Sequence, residues 1–329
     1  MTNPYGLKQP FFALAPMDDV TDTVFRQIVA ECAPPDLCFT EFVNVDGLQS
    51  PGRPKLLKKL RFTKTEPPLI AQIWGKDPEN FYKTAQQIAD GTFARELGLA
   101  KGFNFVGVDL NMGCPQKSEV KNGTCVALIN DRPLAEKIIK ATSEGLAGRL
   151  PLSVKTRVGF NEVDMSWIEF LLGQNLSMLT VHGRTKAQMS KVPANWDLIG
   201  KARELRDRLA PKTLIVGNSD IVSRQHGLDL IEKYKLDGVM IGRGVFHDPF
   251  VFADQSPWLD YSKAQRLELY AKHVRLFAKT WQNRERPLPT LNKFCKIYIN
   301  HFENAKELRE ELMQATSTDE LLKMLAAAV

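Results

Sequence analysis

Short apolar runs rich in β-branched and aromatic residues recur along the chain, and several are followed by longer segments whose apolar residues return every three or four positions. The first pattern suits a buried parallel strand and the second a helix laid over it, so the alternation predicts βα units around a parallel sheet. The predicted strands are Phe11 to Met17, Leu37 to Phe42, Leu69 to Trp74, Phe105 to Asn111, Leu152 to Arg157, Met178 to Gly183, Thr213 to Gly217 and Gly238 to Ile241. Eight strands are the number that closes a (β/α)8 barrel, although the count alone also permits an open, doubly wound sheet. Helices are predicted over Pro78 to Leu97, Pro133 to Ala147 and Asn195 to Leu209. Two of them begin with proline, whose missing N–H is no loss in a first turn.

Beyond about residue 255 the strand pattern stops. Leu267, Tyr270, Val274, Phe277 and Trp281 share one helical face, Leu291, Phe294, Tyr298 and Phe302 predict a second helix, and Ser317 with Glu320 predicts a capping box before a third. The expected architecture is therefore α/β: a TIM barrel over 1–255 followed by a small all-helical C-terminal domain over 256–329.

Composition changes this picture little. With 43% hydrophobic and 25% charged residues, the 329-residue chain has the balance of a globular protein. Its apolar runs are too short to span a bilayer, and its first ten residues lack the basic-then-apolar order of a secretion signal. No membrane association is expected, and the cytoplasm is the expected compartment. Five cysteines, at 32, 38, 114, 125 and 295, form neither a disulfide framework nor a metal knuckle, so reduced thiols and no metal are expected.

The formal charge of +6 is unevenly placed. Between Lys263 and Lys296 nine basic residues (Lys263, Arg266, Lys272, Arg275, Lys279, Arg284, Arg286, Lys293, Lys296) face two acidic ones, whereas residues 297–329 hold three basic and six acidic. Arg53, Lys55, Lys58, Lys59, Arg61 and Lys64 form a second, acid-free patch. Such localised charge suits a phosphate backbone, although each run also reads as an ordinary solvated face.

Active sites of barrels gather at the C-terminal strand ends, and here those ends are polar. They carry Pro16-Met17-Asp18, Glu41, Gln72, Asn111-Met112-Gly113-Cys114, Lys155-Thr156-Arg157, His182-Gly183-Arg184, Gly217-Asn218-Ser219-Asp220 and Gly242-Arg243-Gly244. The last two clusters pair glycines with polar groups where barrels bind phosphate, and Arg243 offers a planar cationic fork. Cys114, in a Gly-Cys-Pro turn, is placed for reactivity, and Cys125 is a second thiol that could approach the same region. Cys32, Cys38 and Cys295 read as core. Lys155 and Arg157 share one face of their strand, which favours an anionic ligand; a Schiff-base role for Lys155 competes but leaves Cys114 and Gln72 without work.

Taken in order, Ala15-Pro16-Met17, Asn111-Met112-Gly113-Cys114-Pro115, Lys155-Thr156-Arg157, His182-Gly183-Arg184-Thr185, Gly217-Asn218-Ser219-Asp220 and Ile241-Gly242-Arg243-Gly244 resemble the tRNA dihydrouridine synthase family over about residues 11–250. The resemblance implies an oxidoreductase that uses FMN, with NADPH or NADH as reductant, to reduce the C5=C6 bond of uridines in tRNA. It implies that Pro16, Met17 and Asp18 line the isoalloxazine, that Gln72, Lys155 and His182 meet its polar edge, and that Asn218, Ser219, Asp220, Gly242 and Arg243 hold its phosphate end. Cys114 would be the proton donor, with Asn111 and Arg157 as candidates for holding a uridine turned out of its stack. The helical tail would grip tRNA, and a monomer is expected. The sequence departs from the family's usual pattern at Asp18-Asp19-Val20 and at Lys121-Asn122-Gly123-Thr124-Cys125. Two other readings compete: an FMN barrel acting on a free pyrimidine, as dihydroorotate dehydrogenases do, and a non-catalytic RNA-binding barrel.

Overall fold

A computed structural model of the protein describes residues 3–100, 102–282 and 285–328. Arg284, one of the expected basic residues, lies outside them. Nine parallel strands are present among the described residues: β1 (Phe11–Leu14), β2 (Leu37–Phe39), β3 (Val43–Asn44), β4 (Leu69–Trp74), β5 (Gly107–Met112), β6 (Leu152–Arg157), β7 (Met178–His182), β8 (Leu214–Asn218) and β9 (Gly238–Ile241). β1 pairs with β9 and with β2, and β2 pairs with β4, so the ring closes and an open sheet is eliminated. β3 continues the line of β2 and pairs with the upper end of β4.

The break between β2 and β3 departs from the predicted single strand at Leu37 to Phe42. There the Thr40 hydroxyl accepts the Gln72 N–H at 3.0 Å, replacing a ladder carbonyl, and Glu41 is wholly buried. The predicted helix over Pro78 to Leu97 is two, Pro78–Ala89 and Thr92–Glu96, because Gly91 adopts a left-handed conformation at φ 76° between them. The helices Arg132–Leu146 and Trp196–Leu209 stand within a residue of expectation.

The inward faces of the strands change character along their length. Phe11, Phe39, Ile70, Met178, Leu214 and Met240 form an apolar lower interior, with Tyr5 and Leu7 packed against it. Two to four residues further along each of several strands, the same face presents Gln72, Asn111, Lys155, His182 and Asn218. Polar groups therefore accumulate at one end.

The tail begins with Lys263–Thr280, whose Ser262 and Gln265 make a reciprocal capping box that the sequence reading missed. The predicted helix over 291–302 is shorter, Asn292–Tyr298, because the Asn300 side chain donates to the carbonyls of Lys296 and Ile297 and closes it. At Ser317 the hydroxyl accepts the Glu320 N–H at 3.1 Å, but Glu320 turns its carboxylate to Thr316, so the expected box is half formed. The tail shares an apolar seam with the barrel, where Phe25 of helix Thr23–Cys32 stacks on Phe294 at 4.9 Å between centroids and lies 6.0 Å from His273. No helix among the described residues is long and apolar enough to cross a membrane.

Candidate active site

A cavity of about 360 Å³ opens at the C-terminal ends of the strands. It is lined by Pro16, Met17, Lys155, His182, Asn218, Ser219, Asp220, Gly242 and Arg243, nine of the residues picked out from the sequence. The βα-loop geometry accounts for the gathering, since all but Lys155, which lies two residues inside the end of β6, end a strand or follow one.

One wall is a linked set of hydrogen bonds. Asn218 donates through Nδ2 to the Met240 carbonyl at 2.8 Å, which leaves its Oδ1 to accept from His182 Nδ1 at 3.2 Å. On the other side of the ring, Arg184 donates to His182 Nε2 at 3.4 Å. The imidazole is thus fixed as the neutral Nδ1–H tautomer, and burial together with the nearby Arg157 and Lys155 holds its pKa well below the usual histidine value. Asp220 accepts from Arg184 and, at 3.1 Å, from Arg243. An acceptor-only carboxylate offers a phosphate nothing directly, so its work is to aim the exposed Arg243 guanidinium.

Lys155 Nζ makes no hydrogen bond or ion pair among the described residues. Burial, reinforced by the Arg157 charge, lowers its pKa to about 8. A cation in the cavity wall is therefore poised to lose its charge close to neutral pH.

Cys114 sits on the adjoining rim, half-buried, and Asn111 secures its turn: Asn111 Oδ1 accepts the Gly113 N–H at 3.1 Å and the Cys114 N–H at 3.0 Å. Arg157 donates through Nε to the Gly113 carbonyl at 2.8 Å and spans to the carbonyls of Thr185 and Met189. Cys125, buried and left-handed at φ 53°, lies near enough to Cys114 for each thiol to affect the other's ionisation. The Cys125 thiol and the Gln116 N–H favour a thiolate at Cys114 and lower its pKa, while the thiol of Cys125 is pushed up. Of the three expected core thiols, Cys38 and Cys295 are buried and Cys32 partly so.

Gln72 has no exposed surface and does not line the cavity; its amide is engaged beneath it, by Asp109 and Asn111. Asp18 also faces elsewhere. Its carboxylate pairs with Lys59, while its neighbours Asp19 and Asp22, with Glu41, surround the buried Arg286 of the tail. Trp281 donates to Asp22 at 3.1 Å and lies 5.0 Å from the Arg286 guanidinium. The unusual Asp18-Asp19 loop is thus a docking loop for the tail. Burial lifts the Glu41 carboxyl to about 7 against the opposing pull of Arg286.

That docking removes Arg286, Arg61 and Lys58 from the expected basic faces: Arg286 is buried, Arg61 pairs with Glu285, and Lys58 donates to the Glu285 carbonyl. Two more are engaged within their own units, Arg266 buried in the tail and Arg53 paired with Glu96 of the barrel. Lys55, Lys64, Lys263, Lys279 and Lys296 remain exposed.

Comparison with known proteins accords with this arrangement. A family profile described as "Dihydrouridine synthase (Dus)" matches residues 13–329. The chain is 43% identical over 322 residues to "Probable tRNA-dihydrouridine synthase 2" of Bacillus subtilis (strain 168), covering 97% of this chain and 94% of that one. It is 42% identical, at 97% and 93% coverage, to "Probable tRNA-dihydrouridine synthase" of Staphylococcus aureus (strain COL). Among solved structures, histamine dehydrogenase from Rhizobium sp. 4-9 superposes with a TM-score of 0.53 at 11% identity, over 83% of this chain and 51% of that one. A 2-naphthoyl-CoA reductase does so with a TM-score of 0.53 at 12% identity, over 73% and 49%. The chain thus spans about half of those two structures, and the likeness is one of barrel fold. Because the profile runs from the first barrel strand through the helical tail, and the relatives match over 97% of the chain, the chain belongs to the dihydrouridine synthase family.

Proposed function

We propose that the protein is an FMN-dependent tRNA-dihydrouridine synthase that reduces the C5=C6 bond of a uridine in tRNA. The observation that carries this reading is the juxtaposition of a cationic, phosphate-suited cavity with a thiol-bearing turn on its rim, in a chain of this family. The residues present fit FMN chemically: Arg243 offers a guanidinium fork at the strand ends where barrels hold phosphate, and Lys155 offers an unpartnered ammonium deeper in the cavity. When bound, FMN reduced by NADPH supplies hydride to C6 of the uracil ring.

The chain's own residues do the rest. Lys155 stabilises negative charge that develops in the cavity during hydride transfer. His182, held neutral, presents a dipole and no competing charge at the same wall. Cys114 gives its proton to C5, and the thiolate left behind is favoured by the Cys125 thiol and the Gln116 N–H. Pro16 and Met17 supply apolar lining, while Asn111 and Arg157 hold the Cys114 turn at the place where a base turned out of its stack would arrive. Residues from about 256 onward form the unit that grips tRNA, with the exposed lysines tracking phosphates, and the protein works as a monomer in the cytoplasm.

The test is spectroscopic. The purified protein should be yellow, bleach with NADPH, and regain its flavin absorption on adding unmodified tRNA but not free uracil or orotate. A colourless protein that cannot be reconstituted with FMN would sink this reading. Reoxidation by free pyrimidines would favour the dihydroorotate dehydrogenase-like alternative.

A further inference from the structure

Beneath the cavity, four side chains form a continuous line from the barrel core to the reactive turn. Ser153 donates to Asp109 Oδ1 at 2.6 Å, and Gln72 Nε2 donates to Asp109 Oδ2 at 2.7 Å. Asn111 Nδ2 donates to Gln72 Oε1 at 3.1 Å, and Asn111 Oδ1 receives the N–H groups of Gly113 and Cys114. Asp109 and Ser153 are wholly buried, Gln72 is too, and Asn111 is nearly so. Strand register explains the line, because Asp109 of β5 lies opposite Gln72 of β4 and Ser153 of β6.

An amide can be turned end for end with little change of shape, so nothing in Gln72 or Asn111 alone decides which end faces which neighbour. An ionised carboxylate only accepts. Placed at the root, it holds Gln72 with its NH2 downward and its oxygen toward Asn111, the same direction that the donor-only N–H groups of Gly113 and Cys114 favour from the other end. We propose that Asp109 is a positioning residue, whose buried carboxylate sets the direction of the Gln72–Asn111 amide chain and thereby holds the Cys114 turn in its reactive geometry. The consequence for turnover rests on the function proposed above, in which Cys114 is the acid; the consequence for the thiol does not.

Two substitutions test the direction of the chain. In Ser153→Ala the carboxylate still dictates it. In Asp109→Asn both directions become available, since the new amide can present its oxygen to Gln72 and its NH2 to Ser153. In Asp109→Asn/Ser153→Ala the NH2 loses that acceptor and turns to Gln72 Oε1. The chain is then reversed, and Asn111 Nδ2 faces the N–H groups of Gly113 and Cys114, donor against donor. Both Asp109 variants lose the same charge, so any difference between them reads direction alone.

The measurement is the pH dependence of iodoacetamide alkylation at Cys114, followed by peptide mass, on the flavin-loaded protein and on the flavin-free protein. The expected midpoints are unchanged for Ser153→Ala, intermediate for Asp109→Asn, and raised by about one pH unit for the double variant, the size expected if the disturbed turn costs the thiolate the Gln116 N–H. With tRNA, kcat should fall in the same order, about tenfold to a hundredfold in the double variant, with KM unchanged. A double variant that matches Asp109→Asn in alkylation overturns the proposal. Should the double variant fail to fold, an Asp109→Asn profile identical to that of Ser153→Ala overturns it equally. A wild-type protein inert toward tRNA would refute the proposed function while leaving the alkylation comparison intact.

Discussion

In the proposed reaction Cys114 and Lys155 divide the work at the scale of single residues, and each can be replaced separately. Replacing Cys114 with alanine should leave bleaching by NADPH at the wild-type rate and slow reoxidation by tRNA about a hundredfold or more, the usual contribution of a general acid. Stopped-flow absorbance separates the two halves, and equal loss in both would refute the assignment. Lys155 carries its charge below its pKa of about 8 and sheds it above, so flavin reduction by NADPH should decline as pH rises through that value. Lys155→Met should be slow throughout and lack that limb. The placement of these two side chains at the strand ends was legible in their motifs. What the sequence could not supply was their surroundings, because the partners of Cys114 come from residues 111, 116 and 125, and the direction of an amide depends on a carboxylate beside it in space.

At the scale of elements, most strands were read to within two residues because burial on both faces leaves an apolar signature that loops lack, although the first, predicted to Met17, ends at Leu14. Failures fell where a side chain overrode the local pattern. Thr40 took a ladder N–H and split a predicted strand, and Asn300 capped a helix that apolar periodicity would have carried to Phe302. The acidic loop after β1 was visible only as a departure from the family's pattern, since its partner Arg286 lies 245 residues from Glu41. Removing that partner leaves buried carboxylates uncompensated. Arg286→Met should therefore lower stability by about 3 kcal/mol in denaturant unfolding at pH 8. Glu41 has a raised pKa in the fold, so its protonated form is the better tolerated, and that tolerance is lost as pH rises through about 7. The gap between Arg286→Met and wild type should accordingly narrow on going from pH 8 to pH 6, and a gap that widens would contradict the account.

For the whole molecule, net charge overstates the positive surface left for a polyanion, since several of the cations counted in the sequence, Arg286, Arg61 and Lys58 among them, are engaged in holding the tail to the barrel. The exposed remainder makes a sharper prediction. Replacing Lys263, Lys279 and Lys296 together with glutamine should weaken tRNA binding and reduce the steepness of its dependence on log salt by about 2 to 3, without altering the melting temperature appreciably. Filter binding between low and moderate salt measures this, and an unchanged slope would place the RNA elsewhere. The same docking has a consequence for how the protein is made. The acidic loop leaves the ribosome more than two hundred residues ahead of the arginine that neutralises it, and Phe25 emerges equally far ahead of Phe294. During synthesis the barrel must therefore wait with an unneutralised acidic pocket and an uncovered apolar strip, and a chain terminated near residue 255 would keep both. Such a truncation should be recovered as aggregate or bound to chaperones, so that the final quarter of the chain serves the nascent barrel as its closing piece before any RNA arrives.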